Sequence, residues 1–165
     1  TAQGSSLHEA YENYLPYNEG WDTEISFAEE IEGVTFVGTL DSYNRISEEL
    51  VSLKQTSIWG PSYKIEDYTI QENCYKWFLS KQDKEVKKIF VDVFYRNWKL
   101  ADKNRNRNYP EIPFEVIELE LWDNSKTEKL IRGKIKELLS NRPCNRADRW
   151  SKFSALISST ISVLP

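Results

Sequence analysis

Hydrophobic and polar positions alternate from Glu24 onward in "EISFAEEIEGVTFVGTLD", and strict alternation over such a run predicts two strands around a turn at Glu32-Gly33. On the second strand Thr35, Val37, Thr39 and Asp41 share a face, because successive side chains in a strand point to opposite sides. "ELVSLKQTS" continues as a third strand with Leu50, Ser52 and Lys54 on one face, so Asp41, Ser52 and Lys54 are expected to converge. A period of three to four replaces the alternation at both ends of this block. Leu7, Tyr11, Tyr14 and Leu15 predict a helix that begins near His8, and Ile70, Cys74, Trp77 and Phe78 predict a second within residues 66–81. Gln71 and Tyr75, four apart, fall on an adjoining face of that second helix. "KKIFVDVFYRNW" and "PFEVIELELW" are rich in β-branched and aromatic residues and predict two more strands, joined by the polar stretch "KLADKNRNRNYPEI". "SKTEKLIRGKIKELLSN" predicts a last helix, with Ser125 and Glu128 at the spacing of a capping box. The final "SKFSALISSTISVLP" has no clear period.

The expected order is helix, three strands, helix, two strands, helix, in one domain spanning residues 1–165 without repeats. A chain of 165 residues suits a single core, and 39% hydrophobic with 29% charged residues is the composition of a folded globular protein. The net charge of −4 excludes global attraction to a polyanion, so any nucleic acid must be held by a local basic patch or through a bound cation. Cys74 and Cys144 are far apart and lack CxxC spacing, which points to free thiols rather than a zinc site or disulfide framework. No apolar run is long enough to span a bilayer and no basic-then-apolar leader opens the chain, so a cytoplasmic protein with no membrane association is expected. The absence of methionine, even at position 1, leads us to expect a processed or trimmed chain.

An aspartate at a strand end and a lysine on the neighbouring strand suit phosphodiester hydrolysis. In that chemistry carboxylates fix Mg²⁺, the ion polarises the phosphate and acidifies a water, and a cation orients that water or neutralises developing charge. By itself the pair is more often plain surface charge. Four short motifs in order carry more: "GSSLHEAY" with Gly4 and His8, "GTLD" with Gly38 and Asp41, "SLKQTS" with Lys54, Thr56 and Ser57, and "QENCY" with Gln71 and Tyr75.

In that order and on those elements the chain resembles, over about residues 4–150, the RecB-like exonuclease family of the PD-(D/E)XK nuclease superfamily, of the stand-alone or phage-encoded type. "FYRNW", "NRNYPEIPFEVIELELW" and "RPCNRADRW" fit the same pattern. The resemblance implies an α/β, restriction-endonuclease-like core with a mixed central sheet of about five strands flanked by helices. It implies a metal-dependent DNA exonuclease acting on single strands or duplex ends in recombination or repair. His8 and Asp41 would hold Mg²⁺ or Mn²⁺, Asp41, Ser52 and Lys54 would occupy the catalytic positions, and Gln71 and Tyr75 would contact the substrate strand. Some relatives carry an iron–sulfur cluster on four cysteines, and two cysteines cannot hold one.

Ser52 departs from the pattern, because it stands where the family has an acid and a hydroxyl is a poorer Mg²⁺ ligand than a carboxylate. A substitute from elsewhere is one resolution. Glu48 lies about 13 Å back along an extended strand and Glu49 points to the other face, whereas Glu66, Asp67 and Glu72 lie on or before the next helix at positions the sequence leaves open. Because position 52 is expected in the metal shell without the charge it needs, Ser52→Asp is expected to tighten Mn²⁺ binding and raise nuclease activity by about a hundredfold or more. The rival readings are an inactive nucleic-acid-binding module on a nuclease fold and an immunity or regulatory protein that binds another protein. From Asn97 to Tyr109, Lys99, Lys103, Arg105 and Arg107 face one acid, Asp102, and Trp98 and Tyr109 flank them, a composition that suits a single-stranded backbone with stacked bases. Lys103, Arg105 and Arg107 are the expected phosphate contacts, and Arg142, Arg146 and Arg149 are candidates to extend the patch.

Overall fold

A computed structural model describes residues 9–10, 19–140 and 162–164. The alternating block forms the hairpin β1 (Trp21–Ile31) and β2 (Val34–Asn44), paired antiparallel from Trp21↔Asn44 to Ile31↔Val34. Its two-residue turn has Glu32 at φ +53° and Gly33 at φ +78°, the left-handed pair whose twist matches that of the flanking strands. β3 (Glu49–Thr56) returns antiparallel to β2 after a turn in which the Asn44 side-chain oxygen accepts from the backbone N–H groups of Ile46 and Ser47.

α1 (Gly60–Lys81) then crosses over to β4 (Lys88–Tyr95), which runs parallel to β3, and β5 (Phe114–Glu118) closes the edge antiparallel to β4. The sheet order is β1-β2-β3-β4-β5, a mixed five-stranded sheet flanked by helices, so the α/β class expected from the pattern is present. β6 (Ser162–Leu164) adds to the far half of β2 at Thr35–Val37; this strand lies in the stretch of sequence that has no clear period.

Parallel register sets Leu50, Ser52 and Lys54 beside Ile89, Val91 and Val93 on the face that α1 covers. Ile89, Val91 and Val93 are buried while Phe90, Asp92 and Phe94 between them are not, so α1 and its neighbour α3 (Asn124–Leu139) cover that face. Phe78 and Leu79 from α1 and Ile131 and Ile135 from α3 complete the core.

Three local expectations change. α1 begins at Gly60, six residues earlier than its apolar spacing indicated, because Pro61 suits a first turn and Gly60 sits where a Cβ would come within 1.9 Å of the Thr56 hydroxyl. The last helix is capped by Asp123, whose carboxylate accepts from the Ser125 N–H at 2.8 Å; Glu128 is engaged by Arg132 instead of closing a capping box with Ser125. The polar 97–109 stretch contains a short helix, α2 (Leu100–Lys103). The helix expected to begin near His8 lies outside the described residues apart from Glu9 and Ala10, which are helical. Among the described residues no helix is long and apolar enough to cross a membrane.

Candidate functional site

The β2–β3 ladder stops at Ser42↔Val51. One step further Asp41 would face Ser52 across the pair; instead the strands part and the half-buried Asp41 carboxylate accepts the freed N–H of Leu53 at 2.9 Å. Ser52 is fully buried, and its hydroxyl donates at 2.7 Å to the Glu72 carboxylate, which reaches down from α1. The Lys54 ammonium faces the other oxygen of Glu72 at 3.3 Å, and that oxygen, Oε1, is buried and accepts no directed hydrogen bond. Asp41, Ser52, Lys54 and Glu72 thus form one cluster, drawn from two strands and the crossover helix.

Burial pushes the Glu72 carboxyl above its ordinary range; the Lys54 ammonium and the Ser52 hydroxyl oppose the shift, and the nearby Asp41 charge adds to it. Burial acts on Lys54 in the opposite sense, but Glu72 and Asp41 outweigh it and hold the ammonium above its usual value. Lys54 is therefore a cation throughout the neutral range. Tyr68, one helical turn before Glu72, is hydrogen-bonded to Thr56 and lies close enough to Lys54 to feel its charge.

Sequence reasoning left Glu72 as one of three unplaced acids and missed Tyr68. The signal for both was their i, i+4 spacing next to Gln71. What hid them is that α1 buries Tyr68, Thr69, Glu72, Asn73, Cys74, Tyr75 and Trp77, which leaves no single apolar stripe to orient the helix. Gln71 donates to the Tyr75 hydroxyl at 3.3 Å, while Tyr75 is buried with its ring edge-on to Phe27 at 5.8 Å. Tyr75 thus supports Gln71 from within the core and is not itself an open contact. Gly38, of the Gly-x-x-Asp stretch, makes room for Phe27: a Cβ there would lie 2.5 Å from the ring.

His8, Gly4, Cys144, Arg142, Arg146 and Arg149 lie outside the described residues. Of the basic stretch, Lys103 is paired with Glu111, whereas Arg105 and Arg107 are exposed and have no ion-pair partner among the described residues. Trp98 and Tyr109, expected as stacking aromatics, are instead pins. The Trp98 indole donates to the Pro110 carbonyl at 2.7 Å, and the buried Tyr109 hydroxyl accepts from the Lys99 N–H at 2.9 Å.

Comparison with family models and with curated proteins finds no match. Among solved structures the chain is similar to the crystal structure of SSO0001, with a TM-score of 0.56 and 18% identity over 92% of this chain and 66% of that one. This likeness shows the fold alone, and the chain spans under two thirds of the length of that structure.

A group of three or more acidic, histidine or cysteine ligands is absent among the described residues. Asp41 and Glu72 nevertheless suit Mg²⁺ or Mn²⁺, because Mg²⁺ commonly binds through one or two carboxylates and completes its shell with waters and substrate phosphate oxygens. Glu72 Oε1, which faces the Lys54 ammonium at 3.3 Å and accepts no directed hydrogen bond, is an oxygen of the kind such an ion takes.

Proposed function

We propose that the protein is a divalent-metal-dependent deoxyribonuclease of the RecB-like type, acting on single strands or duplex ends in recombination or repair. The observation that carries this reading is Glu72: a buried carboxylate beside Asp41 and Lys54, hydrogen-bonded to the serine that occupies the family's acidic position. The reading as an inactive fold rested on the missing acid, and a carboxylate that reaches Ser52 and Lys54 from the helix favours the active reading over it.

Asp41 and Glu72 would hold the ion, which when bound supplies the charge that polarises the phosphate and acidifies water. Ser52 fixes the Glu72 rotamer through its 2.7 Å bond, so the carboxylate is oriented before substrate arrives. Lys54, held protonated, donates to the attacking water or to a non-bridging phosphate oxygen as negative charge builds there; it is no general base at neutral pH. Gln71, braced by Tyr75, is the polar contact for the incoming strand.

The test is Mn²⁺- and Mg²⁺-dependent degradation of end-labelled single-stranded and blunt duplex DNA by the wild type, Asp41→Asn, Glu72→Gln and the control Glu66→Gln. The first two variants should lose at least a hundredfold in rate, as expected when a metal-binding carboxylate is neutralised, and Glu66→Gln should cleave as the wild type does. A wild type without metal-dependent cleavage, or a fully active Glu72→Gln, overturns the proposal.

A further inference from the structure

From the turn between β3 and α1 we infer a second element of substrate recognition: Trp59 is a stacking platform for a base of single-stranded DNA, whose backbone runs along Arg105 and Arg107. The inference rests on the nuclease reading for the direction in which the strand is fed, since Trp59 follows Lys54 by five residues and lies within about 18 Å of it along the chain.

The indole is 54% exposed, unusual for so large an apolar group, although its backbone is fixed on every side. The Gly60 N–H donates to the Ser57 carbonyl at 2.8 Å, the Ile58 N–H donates to the Asn97 side chain at 2.9 Å, and Gly60 is packed against Thr56. An outward-facing indole on a backbone already held in place requires no ordering of the chain when a base is laid on it.

The surroundings select the occupant. Trp59, Ile58 and Tyr109 line two open clefts at once, one of about 400 Å³ in which Lys99 and Arg105 outnumber the single acid Asp102, and one of about 560 Å³ that includes Arg107 and Asn108. Of the acids in the second cleft, Glu111 is paired with Lys103 and Glu115 accepts from the Tyr95 hydroxyl while keeping its charge, whereas Arg105 and Arg107 have no ion-pair partner among the described residues. A polar trough with unpaired guanidiniums around one exposed aromatic matches a flexible polyanion with flat bases, and matches poorly an apolar protein segment. The aromatics that flank the basic stretch in sequence are occupied as pins, which leaves Trp59 to do the stacking.

The test measures binding of a fluorescein-labelled oligo(dT) 20-mer by anisotropy in EDTA, alongside Mn²⁺-dependent hydrolysis of bis(p-nitrophenyl) phosphate, which is too small to span both sites. Trp59→Ala should weaken oligonucleotide binding by about fivefold or more, Trp59→Phe should keep most of the affinity, and Tyr63→Ala, at another exposed aromatic on α1, should change nothing. Hydrolysis of the small diester should be the same in all four proteins. Wild-type affinity in Trp59→Ala, or an equal loss in Tyr63→Ala, overturns the inference. The two proposals fail separately: absence of diester hydrolysis with a Trp59-dependent affinity sinks the nuclease reading only, and hydrolysis with Trp59-independent affinity sinks the stacking platform only.

Discussion

Placing an acid at position 52 tests which residue supplies the second carboxylate. Ser52 and Glu72 are both fully buried and 2.7 Å apart, so Ser52→Asp sets two carboxylates against each other with one ammonium, Lys54, to share. Two like charges about 4 Å apart repel by about 4 kcal/mol at an effective dielectric constant of 20. Either the pair keeps a proton or the fold loses on the order of 3 kcal/mol, which for a chain of this size lowers Tm by about 6–12 °C. The gain expected of Ser52→Asp from sequence took no account of Glu72, whose carboxylate lies against that hydroxyl and, on the proposed reading, serves in place of the missing acid. The exchange Ser52→Asp with Glu72→Ser moves the charge back to the strand and restores one acid, one hydroxyl and one ammonium. Thermal scans with and without Mn²⁺, together with calorimetric titration, should find the single variant destabilised and no tighter for Mn²⁺. The exchange variant should recover at least half of the lost Tm and bind Mn²⁺ within about tenfold of wild type, since equivalent oxygens are offered from a different backbone position. Tighter Mn²⁺ binding by Ser52→Asp at unchanged Tm would refute the reasoning, for it would mean that Glu72 does not occupy the position of the missing acid.

The remaining expectations use other parts of the same structure. Because the folded Glu72 carboxyl titrates above its ordinary 4.5, its contribution to stability is present below that pH and is lost as pH rises through the folded value; wild type should therefore gain stability relative to Glu72→Gln as pH falls from neutral, measured by urea unfolding across pH. Over the same window Mn²⁺ binding should release a proton, which calorimetry in buffers of different ionisation enthalpy detects. Gly38→Ala pushes a methyl into the Phe27 ring, which stacks on Phe78 at 4.0 Å, and should cost about 1–3 kcal/mol by chemical denaturation; an unchanged midpoint would mean that the hairpin yields there. Arg105→Ala and Arg107→Ala should each lower the salt slope of oligonucleotide binding by about 0.7, and Lys103→Ala, already paired with Glu111, should lower it less.

What was legible in the sequence follows from what each signal constrains. Alternation with a period of two fixes the face of each residue within its own strand, so Ser52 and Lys54 fall on one side of β3, and both meet Glu72 there; Asp41 belongs to β2, and it is the antiparallel pairing up to Ser42↔Val51 that brings it beside them. Parallel pairing with β4, a register that the structure supplies, adds Ile89, Val91 and Val93 to that side. Helical spacing says less when most of the circumference is buried. In α1 Glu72 sits among Tyr68, Asn73, Tyr75 and Phe78, all buried, so an acid in the core and an acid on the surface have the same local pattern. The same limit applies to the aromatics: adjacency to basic residues suggested Trp98 and Tyr109, but an indole N–H and a phenol also serve as hydrogen-bond donors and acceptors for loop backbone, and that is how they are used.

On the proposed reading, position 52 is a place where a motif departs from its pattern and the arrangement does not depart with it. A cation requires charged oxygens at particular points in space, and the chain can deliver an oxygen to one point from a strand residue directly or from a helix lying over that strand. When the helix delivers it, the strand residue must become small enough to admit the incoming carboxylate and polar enough to satisfy its second oxygen. Serine meets both conditions, and its 2.7 Å bond to Glu72 is the result. Alanine would admit the carboxylate and leave an oxygen without its donor, at a cost of about 1–3 kcal/mol for a buried charged acceptor. Aspartate would fill the space and repel it. The serine that reads as a defect along the chain is, in the folded protein, the complement of a glutamate twenty residues away.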